Sequence, residues 1–197
     1  MVVTRAPCAV GERVGEAVGE KLLGQLKLNP ALAQMAVNPL LLNVTITVFK
    51  SGHVGESGGL NRAKVYSIAL DSMLSKVGGQ DAPRLAPLMR RQSSNPNAHG
   101  GQDALRLVMR CVAWLAHTTE DGRGIRDFTS ELVERAIRMA NTAEFTAHEW
   151  HDLVDSQIKR GRLPLMTWIP EEGRDKFRFA HLTFQEFLCA EHILSTF

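Results

Sequence analysis

The sequence predicts a mainly α-helical protein, a small helical bundle followed by a winged-helix domain with one β-hairpin. Three observations lead to this prediction. Apolar residues recur at helical spacing through most of the chain, most clearly over residues 62–77. Capping residues stand directly before several of these helical segments. Near the C-terminal end, two short apolar segments flank a glycine-containing turn, which is typical of a hairpin.

The first part of the chain, residues 1–77, is predicted to be an N-terminal tail and a small helical domain. Asn29-Pro30 and Asn38-Pro39 each place an asparagine at the N-cap and a proline at the first helical position, where its missing N–H is harmless. The apolar spacing therefore predicts four helices, over residues 12–28, 30–37, 39–50 and 62–77.

Residues 78–101 differ from their surroundings in composition. They contain three prolines, two glycine pairs and a serine pair, so they offer little apolar surface to bury. We interpret this segment as a linker or mobile insertion. Residues 102–197 then form the predicted winged-helix domain.

The winged-helix domain is predicted from the order of its elements. Its first helix covers residues 102–118, and its second begins at Thr129. Its third helix begins at Thr146, where Glu149 completes a T-x-x-E capping box. Gly161, preceded by two basic residues, predicts the end of that helix.

A wing and a last helix complete the domain. In the second strand, Phe177 and Phe179 alternate with charged residues, as in a half-buried strand. Thr183 and Glu186 have the spacing of a capping box, so the last helix is predicted to begin at this threonine. The strand, turn and second strand of the wing are predicted over residues 163–169, 170–173 and 176–180.

Composition excludes several classes of protein. Hydrophobic residues are 44% and charged residues 22%, as in ordinary globular proteins, and the net charge of +2 gives no strong attraction to nucleic acid or anionic membranes. The longest apolar run, residues 35–49, is interrupted and too short to cross a bilayer. Three cysteines without C-x-x-C spacing, and no signal-peptide pattern, indicate reduced thiols in a cytoplasmic protein with no membrane partner.

The segment from Phe177 to Ala190 reads F-x-F-x-H-x-T-F-Q-E-F-x-x-A. It resembles the closing motif of NACHT-type signalling NTPases of the STAND class, in the NLR-like group. Residues 32–42 resemble the "LA-x-NPLLL" segment of the same family. Residues 60–66 resemble its "LP-x-x-R-x-x-LY" helix start, with Asn61 in place of the proline and Val65 in place of the leucine.

The resemblance implies the small helical and winged-helix parts of a nucleotide switch in signal transduction. In that family the histidine of the closing motif, here His181, reaches the phosphates of bound ADP. The proline of the "NPLLL" segment, here Pro39, packs against the adenine ring. On position alone, His181 and Pro39 also have sufficient structural roles, as a hydrogen-bonding residue beside a helix and as a helix start.

No G-x-x-x-x-G-K-[ST] motif and no strand ending in paired acids occurs in the sequence. ADP or ATP would therefore bind only with a P-loop NTPase domain outside this chain, from the same parent or a related protein. The chain alone is expected not to be an enzyme. It is either part of a longer switch, whose parent could oligomerise, or a truncated paralogue.

A winged helix also allows a different function, as a nucleic-acid-binding or protein-interaction module. The exposed face of the third helix would present three carboxylates to the phosphates, those of Glu149, Asp152 and Asp155. Nucleic acid is therefore the less favoured partner. Weak contact through the wing stays open, because the wing carries Arg174, Lys176 and Arg178. An enzyme with an unrecognised site ranks third.

Two histidines of the third helix have spacing that suits a metal. His148 and His151 lie three residues apart in "HEWH", but no third ligand is evident and H-E-x-x-H is not matched. We interpret them as a surface pair and predict no metal in this chain. None of the cysteines stands in a sequence pattern typical of a catalytic Cys–His pair.

Overall fold

The computed structural model describes residues 9–37, 39–50, 61–75, 77, 101–119, 124–142 and 145–196. Within these ranges the protein is mainly helical, with one small antiparallel sheet, so the predicted fold class is confirmed. The chain forms two compact units, residues 1–69 and 70–197. Most of the predicted linker, residues 78–100, lies outside the described residues, and that boundary stays a prediction.

In its described ranges, the first unit contains three helices and most of a fourth. They are α1 (Ala9–Leu28), α2 (Pro30–Ala36), α3 (Pro39–Lys50) and α4 (Arg62–Leu74), of which α4 ends in the second unit. Asn29 caps α2 as predicted, because its Oδ1 accepts a hydrogen bond from the Leu32 N–H at 3.2 Å. Asn38, the other predicted cap, lies outside the described residues. The largest buried apolar side chains of the unit are Leu22, Leu32, Met35, Leu41, Val48, Phe49, Val65 and Tyr66.

Among its described residues, the second unit adds four helices. They are α5 (Gly101–His117), α6 (Ser130–Ala140), α7 (Ala147–Leu153) and α8 (Leu182–Thr196). Helix α5 packs against both α6 and α8. The predicted third helix changes geometry part-way, since α7 continues as a π-helical turn over Val154–Ile158. Its end is as predicted: Gly161 has φ +64°, a conformation that favours glycine.

The sheet has three antiparallel strands in the order β1-β3-β2. They are β1 (Asp127–Thr129), β2 (Met166–Glu171) and β3 (Arg174–Phe179). The predicted turn over residues 170–173 is too long, because Pro170 and Glu171 belong to β2. Gly173, with φ +81°, closes a tight two-residue turn, and Pro170 is tolerated because β2 is an edge strand.

An aromatic cluster forms the centre of the second unit. Phe177 on the middle strand meets the Trp150 ring edge-on, with ring centroids 5.1 Å apart. Phe128 on β1 packs against both phenylalanines of β3, at 6.4 Å from Phe177 and 5.6 Å from Phe179. All four side chains are buried. The predicted alternation of β3 is thus confirmed, with its phenylalanines inward and Arg178 exposed.

Of the three N-cap residues predicted for helices of this unit, two are found at the start of the helix. The capping box of Thr146 and Glu149 is present at the start of α7. Thr129 is the N-cap of α6, although its side chain makes no capping hydrogen bond. The third predicted start, at Thr183, is wrong: α8 begins at Leu182, so Thr183 already lies in its first turn.

Candidate functional site

A cleft of about 450 Å³ opens where β3 meets the start of α8. His181 stands at this junction, and the segment before β1 contributes a second wall through Arg126. The two walls are tied together by Gln185, whose Nε2 donates to the Ile125 carbonyl at 3.1 Å. The polar side chains that line the cleft are Arg126, Arg178, His181, Thr183, Gln185 and Glu186.

His181 acts as the cap of α8. Its Nδ1 accepts a hydrogen bond from the Thr183 backbone N–H at 3.3 Å and lies 2.8 Å from the Thr183 Oγ1. A free N–H of the helix start is therefore satisfied by the imidazole. This explains why the predicted capping box of Thr183 and Glu186 does not form: the histidine already fills the cap position.

Two arginines with different surroundings face the cleft. Arg178 forms a two-point ion pair with Asp127 across the β1–β3 ladder, at 2.5 Å from Nε and 2.9 Å from the terminal nitrogen. This hydrogen bonding with Arg178 lowers the pKa of the Asp127 carboxyl. Arg126 is exposed, and within the described ranges it has no ion-pair partner. The cleft therefore holds one cation paired with a carboxylate and one cation without an ion-pair partner among the described residues, beside the exposed carboxylate of Glu186.

Pro39, the second predicted site residue, belongs to the first unit. It is the first residue of α3, and its ring is exposed. Val37, just before it, is 82% exposed, which is unusual for a valine. Pro39 and His181 thus lie in different units, and Pro39 is exposed whereas His181 is half-buried.

Ion pairs form within the wing, within the third helix, and between the two. Lys159, which follows the π-helical turn, lies 3.3 Å from Asp155 and 3.0 Å from Asp175 on β3. A hydrogen bond from the Trp168 indole, at 2.9 Å, lowers the pKa of the Asp175 carboxyl, and Lys159 adds to this effect. Lys176 pairs with Glu171 across the hairpin at 2.6 Å. These pairs fix the wing to the helix and neutralise much of its positive charge.

Within the described residues, the histidine pair of α7 belongs to no group of three potential metal ligands. His148 and His151 are both exposed, and His148 Nε2 lies 3.7 Å from an Asp152 carboxylate oxygen. Among the residues that the structure describes, no cluster of three potential ligands is found.

A buried Cys–His contact was missed by the sequence analysis. Cys111 Sγ on α5 lies 4.0 Å from His192 Nδ1 on α8, and the Trp114 ring stacks on the imidazole at 5.4 Å. Burial raises the pKa of the Cys111 thiol and lowers that of His192, so both groups are neutral near pH 7. A neutral buried thiol is not an activated nucleophile, and the pair serves packing between the two helices. Because the two residues are 81 positions apart in the sequence, no local pattern indicates this contact.

Because His192 is buried at this contact, we expect the protein to lose stability in acid. Because burial, and secondarily Arg110, lower the folded-state pKa of His192, the unfolded chain takes up a proton first as the pH falls. The free energy of unfolding is expected to fall progressively below the ordinary histidine pKa of about 6.5. His192→Phe keeps a stacking ring and removes the titrating group, so its stability is expected to fall less between pH 7 and pH 5.

Urea unfolding across this pH range measures the effect. His117→Gln, at the exposed end of α5, is the matched control and is expected to follow the wild type. An identical pH dependence for His192→Phe and the wild type would contradict the assignment.

Together the fold and the cleft define a mainly helical protein whose second unit has a winged-helix-like order. Within the described ranges, none of the helices combines the length and apolar character that a membrane span requires. Comparisons with family models, with curated proteins and with solved structures give no match to this chain.

Proposed function

We propose that this chain is the regulatory helical and winged-helix segment of a NACHT-like STAND nucleotide switch, acting in cytoplasmic signal transduction. It would contribute to ADP or ATP binding and to autoinhibition, jointly with a P-loop NTPase domain outside the chain. The observation that carries the proposal is the cleft at His181, where a histidine and two arginines surround one space at a helix start. In support, this cleft is lined by His181, the residue for which the family resemblance implies contact with a phosphate.

The chemistry of the cleft suits a phosphate. Phosphate oxygens accept hydrogen bonds, and arginine guanidinium groups and a histidine N–H donate them. Arg178 already holds Asp127, so only Arg126 offers an unneutralised cation. The cleft alone is therefore expected to bind nucleotide weakly, which agrees with a site completed by a P-loop domain.

The proposed role of Pro39 is contact with the adenine ring. Its ring is exposed at the start of α3, so it is accessible to a flat apolar partner. The exposed Val37 extends this apolar surface. A P-loop domain docking here would cover both side chains, as expected for large exposed apolar groups.

The proposed mechanism is a difference in affinity between two states. The winged-helix unit would hold the ADP-bound, closed state more tightly than the ATP-bound state, and only such a difference shifts the equilibrium. The groups for hydrolysis and for magnesium would come from the P-loop domain. The chain alone is therefore proposed to hydrolyse no ATP, and oligomerisation would be a property of the parent.

Nucleic acid is not a partner in this proposal. Of the wing cations, Lys176 and Arg178 are each paired with a carboxylate, and so is Lys159 beside the wing. Neutralising phosphates with these three cations would require breaking their ion pairs, which removes their electrostatic gain on nucleic-acid binding and leaves Arg174 as the remaining wing cation.

His181→Ala tests the proposal in the chain joined to its P-loop domain. We expect ADP affinity to fall by about 1.5–3 kcal/mol, roughly 10- to 150-fold, the range for a hydrogen bond to a charged group. Isothermal titration with ADP measures it. His151→Ala, an exposed histidine of α7, is the matched control and should bind ADP like the wild type. Unchanged ADP affinity in a well-folded His181→Ala protein would reject the switch role.

A further inference from the structure

The imidazole of His181 is held in one orientation by a single neighbouring residue. Both the backbone N–H and the side-chain hydroxyl of Thr183 meet the same ring nitrogen, Nδ1, at 3.3 and 2.8 Å. A backbone N–H donates only, so Nδ1 accepts and carries no proton. In a neutral ring the proton then lies on Nε2.

Nε2 is the ring nitrogen that can contact a ligand in the cleft. Within the described part of the chain Nε2 has no hydrogen-bond partner, while His181 lines the cleft and is partly exposed. The ring therefore offers a donor to the cleft, while its acceptor is already engaged by Thr183. Such a ring suits a ligand with acceptor oxygens, and it does not suit a metal ion, which needs a free nitrogen lone pair.

We infer that Thr183 is a positioning residue that fixes His181 as the neutral Nε2–H tautomer, so that the cleft receives an oxyanion through a hydrogen-bond donor. Only the identity of the oxyanion, a nucleotide phosphate, rests on the proposed function. The tautomer is a property of the chain alone. The role of Thr183 thus differs from the helix cap that its spacing suggested.

Nitrogen NMR of the histidine rings in the full chain tests this inference without ligand. We expect the wild type to show His181 with a protonated Nε2 and a bare Nδ1. Thr183→Val removes the hydroxyl, which can donate to a bare Nδ1 or accept from a protonated one, and keeps the shape. Its ring is expected to stay protonated at Nε2, because the backbone N–H that donates to Nδ1 is retained. Thr183→Ser keeps the hydroxyl and should keep the wild-type spectrum.

Two results would overturn the inference: a wild-type ring protonated at Nδ1, or a Thr183→Val ring whose proton moves to Nδ1. Circular dichroism shows whether the valine variant folds, and Thr183→Ala takes its place if it does not. Inorganic phosphate is then added to each protein. Phosphate that binds none of them, with the tautomers as expected, would count against the proposed nucleotide function and leave the positioning role of Thr183 standing.

Discussion

Phe177→Ala is expected to lower the free energy of unfolding of the second unit by about 3–5 kcal/mol, the usual range for truncating a buried phenylalanine. Phe177 is fully buried on the middle strand of the sheet, where β1 and β2 both pair with it. Its ring contacts Trp150 and Phe128 from two other elements. Removing the ring leaves a cavity at the point where strands and helix meet, and rigid neighbours cannot fill it.

Urea unfolding followed by tryptophan fluorescence measures this loss. All three tryptophans, Trp114, Trp150 and Trp168, belong to the second unit, so the fluorescence change reports on that unit. Leu194→Ala is the matched control, because this side chain is 83% exposed and its loss should change stability by less than about 0.5 kcal/mol. A Phe177→Ala effect as small as that of the control would show that the aromatic cluster is not the core.

Features that depend on neighbouring residues were predicted well from the sequence. The capping box at Thr146 and the asparagine cap of α2 form because donor and acceptor lie within one helical turn. The inward phenylalanines of β3 follow from the two-residue period of a strand. In each case the physical cause lies within a few residues of the effect.

Other features depend on competition between residues for one position, or on contacts between residues that lie far apart in the sequence. The start of α8 was misplaced because two residues compete for one cap, and the imidazole of His181 occupies it. Strand β1 has three residues, too few for a periodic pattern, and it exists because β3 pairs with it 49 residues later. A π-helical turn also leaves no clear period in the sequence.

The candidate site likewise combines a residue that the sequence analysis named with contacts that it did not predict. The sequence analysis named His181 as a site residue, but only the family resemblance distinguished it from a histidine with a purely structural role. Arg126 was missed, because it reaches the cleft through folding of a segment far from β3. The ion pair of Arg178 with Asp127 spans 51 residues, so the sequence did not show that one of the wing cations is neutralised.

The last expected result concerns Arg106, which joins three helices of the second unit. On α5, its guanidinium forms ion pairs with Glu191 of α8 and with Asp71 near the end of α4. Its side chain is 18% exposed and that of Glu191 is 22% exposed, so water compensates poorly for the Glu191 carboxylate when the guanidinium is lost, whereas the Asp71 side chain is 51% exposed. Arg106→Met keeps the apolar stem and removes the charge. We expect the free energy of unfolding to fall by about 2–4 kcal/mol. This value lies between the cost of losing one hydrogen bond to a charged group and the cost of breaking a fully buried ion pair.

A double-mutant cycle with Glu191→Gln separates this contact from general packing. Coupling between two residues in direct contact is expected to be about 0.5–3 kcal/mol. The pair of Arg138 with Glu134 on α6 is the matched control, since Arg138 is 68% exposed and such surface pairs contribute about 0–1 kcal/mol. If Arg106→Met costs no more than Arg138→Met, the contact is an ordinary surface ion pair. A larger cost, with faster amide exchange over residues 71–74, would show that Arg106 holds the end of α4 in the second unit.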